Sequence, residues 1–346
     1  MSLPRALLSL FGWFAVIWAA LIAATLPRWP LEARDAPVQL HVQGDSSMAT
    51  GIFLNTIEET GYELARRCPL APKKRLVLLG GSGARAYRPQ YFEHVTAADE
   101  VLLLSMNFSN FSQLRQIADD LLACLDRSTA EQTAVVIIPT AYSFTTTQTR
   151  FDGPYTIYEV EKRRNRLFAG PPGQVRPIVP RALAPLAVEL WRPVLLGRYV
   201  VQRISARIHA QFKPAMTAER RDAHQQWEDE AMRAELPRLL PLPVAGEPYA
   251  PEQAGELRRL IEDLQQAHVH VVLAQQPTQQ WLREFSPAYP ATQQVLRDVA
   301  AEYRVPYIDQ SGTGADAEFD GPLHALRTAE PLWAARLAEA LKQLQH

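Results

Sequence analysis

The sequence predicts an α/β domain built on a five-stranded parallel sheet with helices layered on both sides. Three observations carry that prediction. Short apolar runs stand at 76–79, 101–104, 134–138, 269–273 and 305–308. Helix-like segments at 112–125, 252–266 and 292–302 fall between or after them. The first run ends abruptly in glycines. A strand that is apolar at every position is buried on both faces, which requires a sheet covered twice. Strands alternating with helices in this way wind a parallel sheet through right-handed crossovers.

Composition agrees with a globular domain. At 346 residues the chain is long enough to bury one large core, with 47% hydrophobic and 21% charged residues. A formal net charge of −1 gives no support for nucleic-acid binding, which draws on a basic surface. Much of the proline, 27 residues in all, falls between Pro139 and Pro251 and breaks regular structure there. No internal repeat is visible.

Taken in order, residues 1–5 form a short tip and 6–26 an apolar run about one bilayer in length. Arg5 precedes that run, while Trp29 marks its far interface. The length favours an uncleaved signal anchor over a cleaved signal peptide, whose apolar core is shorter. Arg28 and Arg34 on the far side oppose the charge rule for orientation. Residues 27–37 then read as a polar linker and 38–346 as the folded domain. Within it, 50–67 has Ile52, Leu54, Ile57, Tyr62 and Leu64 spaced for one buried helical face. The interval 142–250 does not fit a crossover and reads as an insertion. Its segment 191–212 alternates Val194, Leu195, Val200, Ile204 and Ile208 with arginines. That pattern suits a lid with solvated arginines, or a helix lying on an anionic membrane surface. A helix-like tail, 331–344, closes the chain.

The candidate chemistry lies at the two ends of the domain. Arg75-Leu-Val-Leu-Leu-Gly-Gly-Ser82-Gly83 places a serine directly after a buried strand. Open α/β sheets put their ligand sites at that carboxyl end, and the glycines allow a sharp turn. Near the other terminus, Phe319-Asp320-Gly-Pro-Leu-His324 puts an acid and an imidazole on the loop before the last helix. A serine nucleophile needs such a base, and the carboxylate orients the imidazole. A competing serine is Ser46 in Gly44-Asp45-Ser46-Ser47. It follows the run 38–43, whose polar and apolar residues alternate as in an edge strand. Ser82 is therefore preferred, with Ser46 the alternative nucleophile. His268 and His270 form a His-x-His without a third nearby ligand, so no metal site is expected. Cys68 precedes the first run and Cys124 ends the following helix, so both belong at the amino end of the sheet. Either a disulfide in an oxidising compartment or two half-buried thiols fits that placement.

On these residues the chain resembles the SGNH (GDSL-like) hydrolase superfamily, and within it the membrane-anchored DltD-like and alginate O-acetylation-like acyl-transfer proteins. The resemblance rests on the anchor followed by a helix and on the Gly-x-Ser turn with Pro89 beyond Ser82. It rests also on the run Thr133-Ala-Val-Val-Ile-Ile-Pro-Thr-Ala-Tyr-Ser-Phe144 ahead of an insertion, and on the terminal Asp/His pair. It implies a three-layer, flavodoxin-like sandwich and a Ser82–His324–Asp320 triad. Oxyanion donors would come from Ser82 itself with Gly83, Ser105 or Asn107, although Asn107 also reads as an ordinary turn residue. No cofactor is implied. The implied reaction moves an acyl group between an acylated carrier and water or a cell-envelope glycan, at the outer face of the inner membrane. A membrane-bound O-acyltransferase is the implied partner, and a non-catalytic scaffold for that partner is the second reading. The late motif departs from the usual Asp-x-x-His, because three residues rather than two stand between Asp320 and His324; Asp316 is the weaker substitute. The Gly-x-Asn-Asp block is replaced by Ser105-Met-Asn107-Phe-Ser-Asn110.

The anchor places everything after Trp29 outside the cytoplasm. A reporter that is active only in the periplasm, fused at His346, should be active; activity solely from a cytoplasmic reporter would contradict this topology.

Overall fold

In a computed structural model, the residues described are 3–25, 64, 67–92, 98–105, 109–144, 168–169, 176–177, 183, 186, 190, 230, 249–285, 288–319, 323–326 and 328–344. Ser46, the run 38–43, the linker 27–37, Asn107 and Asp320 lie outside them. So do nearly all of 50–67 and most of the insertion.

Strands β1 (Arg75–Gly80), β2 (Glu100–Ser105), β3 (Thr133–Ile138), β4 (His270–Gln275) and β5 (Tyr307–Asp309) form one sheet in the order β2-β1-β3-β4-β5. Every neighbouring pair is parallel. Each apolar run of the sequence therefore becomes a strand, with its bounds moved by a residue or two. The longer helices are α1 (Leu3–Thr25), α2 (Phe111–Leu122), α3 (Pro251–Gln266), α4 (Ala288–Tyr303) and α5 (Glu330–Gln343). Helix α4 begins ahead of the expected 292 because Pro290 falls in its first turn, where a missing N–H has no intrahelical partner to lose.

Alternation along the strands divides the core into two. Val77, Leu79, Val135, Ile137 and Leu273 face α2, α3 and α4. Leu78, Val136, Ile138, Ala274 and Ile308 face the other way, against Trp333 and Leu337 of α5 and against Ala84, Tyr87 and Phe92. Burying one such leucine or valine is worth about 1.5–3 kcal/mol over leaving it exposed. Two apolar faces per strand thus outweigh any single polar contact in holding the sheet.

The amino end of the sheet is locked by charge and by sulfur. Arg75, its side chain fully buried, donates Nε to Glu100 Oε2 at 2.6 Å, joining the first residues of β1 and β2. Burial alone would raise the Glu100 pKa. The hydrogen bond and charge of Arg75, with Lys73 beside it, win and hold the carboxyl below its ordinary value. Cys68 and Cys124 are disulfide-bonded with Cα atoms 4.9 Å apart, and the Leu70 N–H donates to the Cys124 carbonyl at 2.9 Å.

Helix α1 exposes Phe11, Trp13, Phe14, Val16 and Ile17. Its Trp18 indole donates to the Leu190 carbonyl at 2.9 Å, a contact with the insertion. Among the described residues no helix is long and apolar enough to cross a membrane.

The disulfide joins residues 56 apart. Replacing both cysteines by serine should lower stability by about 2–4 kcal/mol, read from urea unfolding. Reduced wild-type protein should then unfold like the double variant.

Candidate active site

Strand β1 runs into Gly80 and Gly81 and then into the short 3-10 turn Ser82–Ala86. Gly80 is required by close approach: a Cβ there would lie 2.6 Å from the Ile138 carbonyl oxygen and 2.8 Å from the Ala84 Cβ. The first hydrogen bond of the turn runs from the Ala84 N–H to the Gly81 carbonyl at 3.1 Å. Ser82 and Gly83 therefore stand at the start of the turn, where N–H groups have no partner within it. Ser82 is half-buried at the carboxyl end of β1. In the order β2-β1-β3-β4-β5 the chain leaves β1 toward β2 and returns on the other side to β3, so this is the switch point where open sheets bind ligands.

His324 arrives on a folded-back loop. Phe319 and Ala325 form an antiparallel bridge, and the Leu326 N–H donates to the Glu318 carbonyl at 2.7 Å. The base of this loop is clamped to α5. Arg336 donates two hydrogen bonds to Glu318, at 2.7 and 2.9 Å, and the Trp333 indole adds one at 2.9 Å. Phe319 packs edge-on to Trp333, with ring centroids 5.1 Å apart. The serine side is tied to the same helix, because Arg88 pairs with buried Glu330 at 2.7 Å and Tyr91 donates to it at 3.3 Å. With both sides held, His324 Nε2 lies 3.0 Å from Ser82 Oγ.

A polar layer lies at the carboxyl ends of β4 and β5. Tyr307 donates to Gln275 Oε1 at 2.6 Å, and Gln275 Nε2 donates to the Tyr289 hydroxyl at 3.0 Å. Tyr87 donates to Gln310 Oε1 at 3.3 Å. Burial pushes the Tyr87 phenol far above its ordinary range, opposed by the Arg336 charge, and burial with Asp309 does the same to Tyr307. These phenols stay neutral donors at physiological pH.

The structure brings Ser82 and His324 together, with Gly83 buried beside them. Ser105 is buried at the end of β2, in register with Gly80. Asp316 is exposed in the turn Asp316–Glu318. His268 and His270 are exposed at the amino end of β4, at the opposite edge of the sheet from Ser82. The alternative nucleophile Ser46, the oxyanion candidate Asn107 and the acid Asp320 lie outside the described residues. Sequence reasoning missed the Glu318–Arg336 and Arg88–Glu330 clamps and missed Gln276. The last had a signal: Gln275-Gln276-Pro277 follows a buried strand at the end where ligands bind.

No family model and no curated protein matches the chain. Among solved structures, a GDSL-like lipase from Bacteroides thetaiotaomicron is similar over 83% of this chain and 100% of its own. It is 10% identical, with a TM-score of 0.36. A likeness at that level carries no argument about function, which rests on the geometry of the site itself.

Hydrogen bonds from Arg336, opposed by burial and aided by Trp333, hold the Glu318 carboxyl below its ordinary value. The folded state thus favours the ionised form. The clamp's contribution is full above the unfolded carboxyl pKa of about 4.3 and is lost as pH falls through the lower folded value. Glu318→Gln should cost about 1–3 kcal/mol at pH 7. In urea unfolding, the gap to wild type should narrow as pH drops below about 4.3; a gap independent of pH would refute the clamp.

Proposed function

We propose that this protein is a serine acyl-transfer enzyme of the SGNH (GDSL-like) type, with Ser82 the nucleophile and His324 its base. The observation that carries the reading is the 3.0 Å separation of His324 Nε2 and Ser82 Oγ. That is hydrogen-bond reach between a hydroxyl and a base.

The chemistry follows from the contact. His324 Nε2 accepts the Ser82 proton as Oγ attacks the ester carbonyl. The oxyanion meets the N–H groups of Ser82 and Gly83 at the start of the turn, each such donor being worth about 3 kcal/mol in the transition state. As the tetrahedral intermediate collapses, the C–O bond to the leaving alcohol breaks and the imidazolium returns its proton to that alcohol. An acyl-serine remains. His324 then takes a proton from an incoming hydroxyl as it attacks the acyl carbon; as the bond to Ser82 breaks, the imidazolium returns that proton to Ser82 Oγ. Water as acceptor gives a carboxylic acid, and a sugar hydroxyl gives a new ester. Asp320 is assigned as the group that orients His324. Support comes from its place in sequence next to Phe319, whose bridge to Ala325 closes the His324 loop.

The acceptor we assign is a cell-envelope glycan, receiving a D-alanyl or acetyl group as in the DltD-like and alginate O-acetylation-like proteins. The domain would be held at the outer face of the inner membrane by α1, beside a membrane-bound O-acyltransferase. The exposed aromatic and aliphatic side chains of α1 support the anchor, and the disulfide supports an oxidising compartment. A non-catalytic scaffold is the weaker reading, since a scaffold has no need of a serine–imidazole contact.

Members of one catalytic unit lose activity non-additively. Ser82→Ala, His324→Ala and the double variant should each lose about 10³-fold or more in acyl-ester turnover. Labelling by a fluorophosphonate should vanish in Ser82→Ala. Labelling that persists there, but disappears in Ser46→Ala, would move the nucleophile to Ser46.

A further inference from the structure

One side chain lies between the two halves of the site. Gln276, on the loop after β4, is 1% exposed. Its Nε2 donates to the Leu323 carbonyl at 2.7 Å, fixing the residue before His324. The same carboxamide occupies the space that a Cβ on Gly83 would need; its Oε1, Nε2 and Cδ are the nearest atoms to that position. Gly83 is the residue after Ser82. A single planar group thus bridges the nucleophile turn and the histidine loop, and the absence of a side chain at Gly83 is what admits it.

Stability alone does not account for a glutamine here. Among the described residues, Gln276 Oε1 is buried with no hydrogen-bond partner. A stranded acceptor is a net cost that an apolar side chain of similar size would avoid. The carboxamide is also held from behind. Gln275 is fixed by Tyr307 and Tyr289, and Pro277 restricts the backbone of Gln276. Leu323 is seated in turn against Leu282 and Trp281.

We infer that Gln276 is a positioning residue that sets the separation of Ser82 Oγ and His324 Nε2 by spanning Gly83 and the Leu323 carbonyl. It touches no substrate. The inference rests on Ser82 and His324 acting as the acyl-transfer pair.

The test uses the full-length protein, with p-nitrophenyl acetate as ester and a fluorophosphonate as a probe of Ser82. Gln276→Met keeps the volume and removes the donor. It should slow fluorophosphonate labelling and lower kcat about tenfold or more, with KM little changed. Gly83→Ala should displace the carboxamide and cause a similar loss. The double variant Gly83→Ala/Gln276→Ala makes room for the new methyl and should be no slower than Gln276→Ala alone, a coupling that only touching residues show. Rates are expressed per labelled serine and thermal unfolding is recorded for each variant, so a folding defect is separated from mispositioning. Undiminished rates in Gln276→Met, or strictly additive losses in the double variant, overturn the inference while leaving the nucleophile intact. A wild-type protein whose Ser82 does not label, or whose activity survives Ser82→Ala, overturns the underlying reading instead.

Discussion

The site depends on holding two residues 242 positions apart in sequence within one hydrogen bond of each other. No local structure achieves that. It follows from a parallel sheet buried on both faces, which brings the carboxyl end of its first strand and the loop before the last helix to the same edge. A parallel sheet of this kind is held by apolar burial on each side, so its geometry changes little when a polar loop residue is altered. The loops at its carboxyl edge then work from a rigid base.

Rigidity and chemistry occupy opposite edges. At the amino edge, fully buried Arg75 meets Glu100, and the Cys68–Cys124 disulfide ties the segment before β1 to the end of α2. At the carboxyl edge glutamines and tyrosines are joined by neutral hydrogen bonds, near Ser82 and His324. Two ion pairs flank the pair of residues: Glu318 with Arg336, and Glu330 with Arg88. Both clamps end on α5, so one helix registers the serine turn and the histidine loop against each other. A paired charge beside the site perturbs the imidazole less than an isolated one would, because the fields of the two partners largely cancel.

The polar layer at the carboxyl edge is preorganised by its own hydrogen bonds. In the proposed acyl transfer, such buried neutral phenols and carboxamides would supply fixed dipoles that need not reorganise as charge develops. Preorganisation of that kind is the largest single contribution in many acyl-transfer sites. The cost is visible at Gln276 Oε1, an acceptor with no donor among the described residues.

The sequence by itself determined the strands, the helices that follow them and the two halves of the site. Burial on both faces writes a continuous apolar run into each strand, and a turn at a strand end writes glycines beside Ser82. Both are local signals. The histidine before the last helix was legible from its place ahead of that helix. Only the tertiary structure decided the strand order β2-β1-β3-β4-β5, the choice of a disulfide over two thiols, and the contact of His324 with Ser82. It alone showed the Glu318–Arg336 clamp and the bridging carboxamide of Gln276. An exposed glutamate, a surface arginine and a loop glutamine look alike in sequence whether they face solvent or one another. What distinguishes them is a partner dozens or hundreds of residues away, and that partnership exists only once the sheet has assembled.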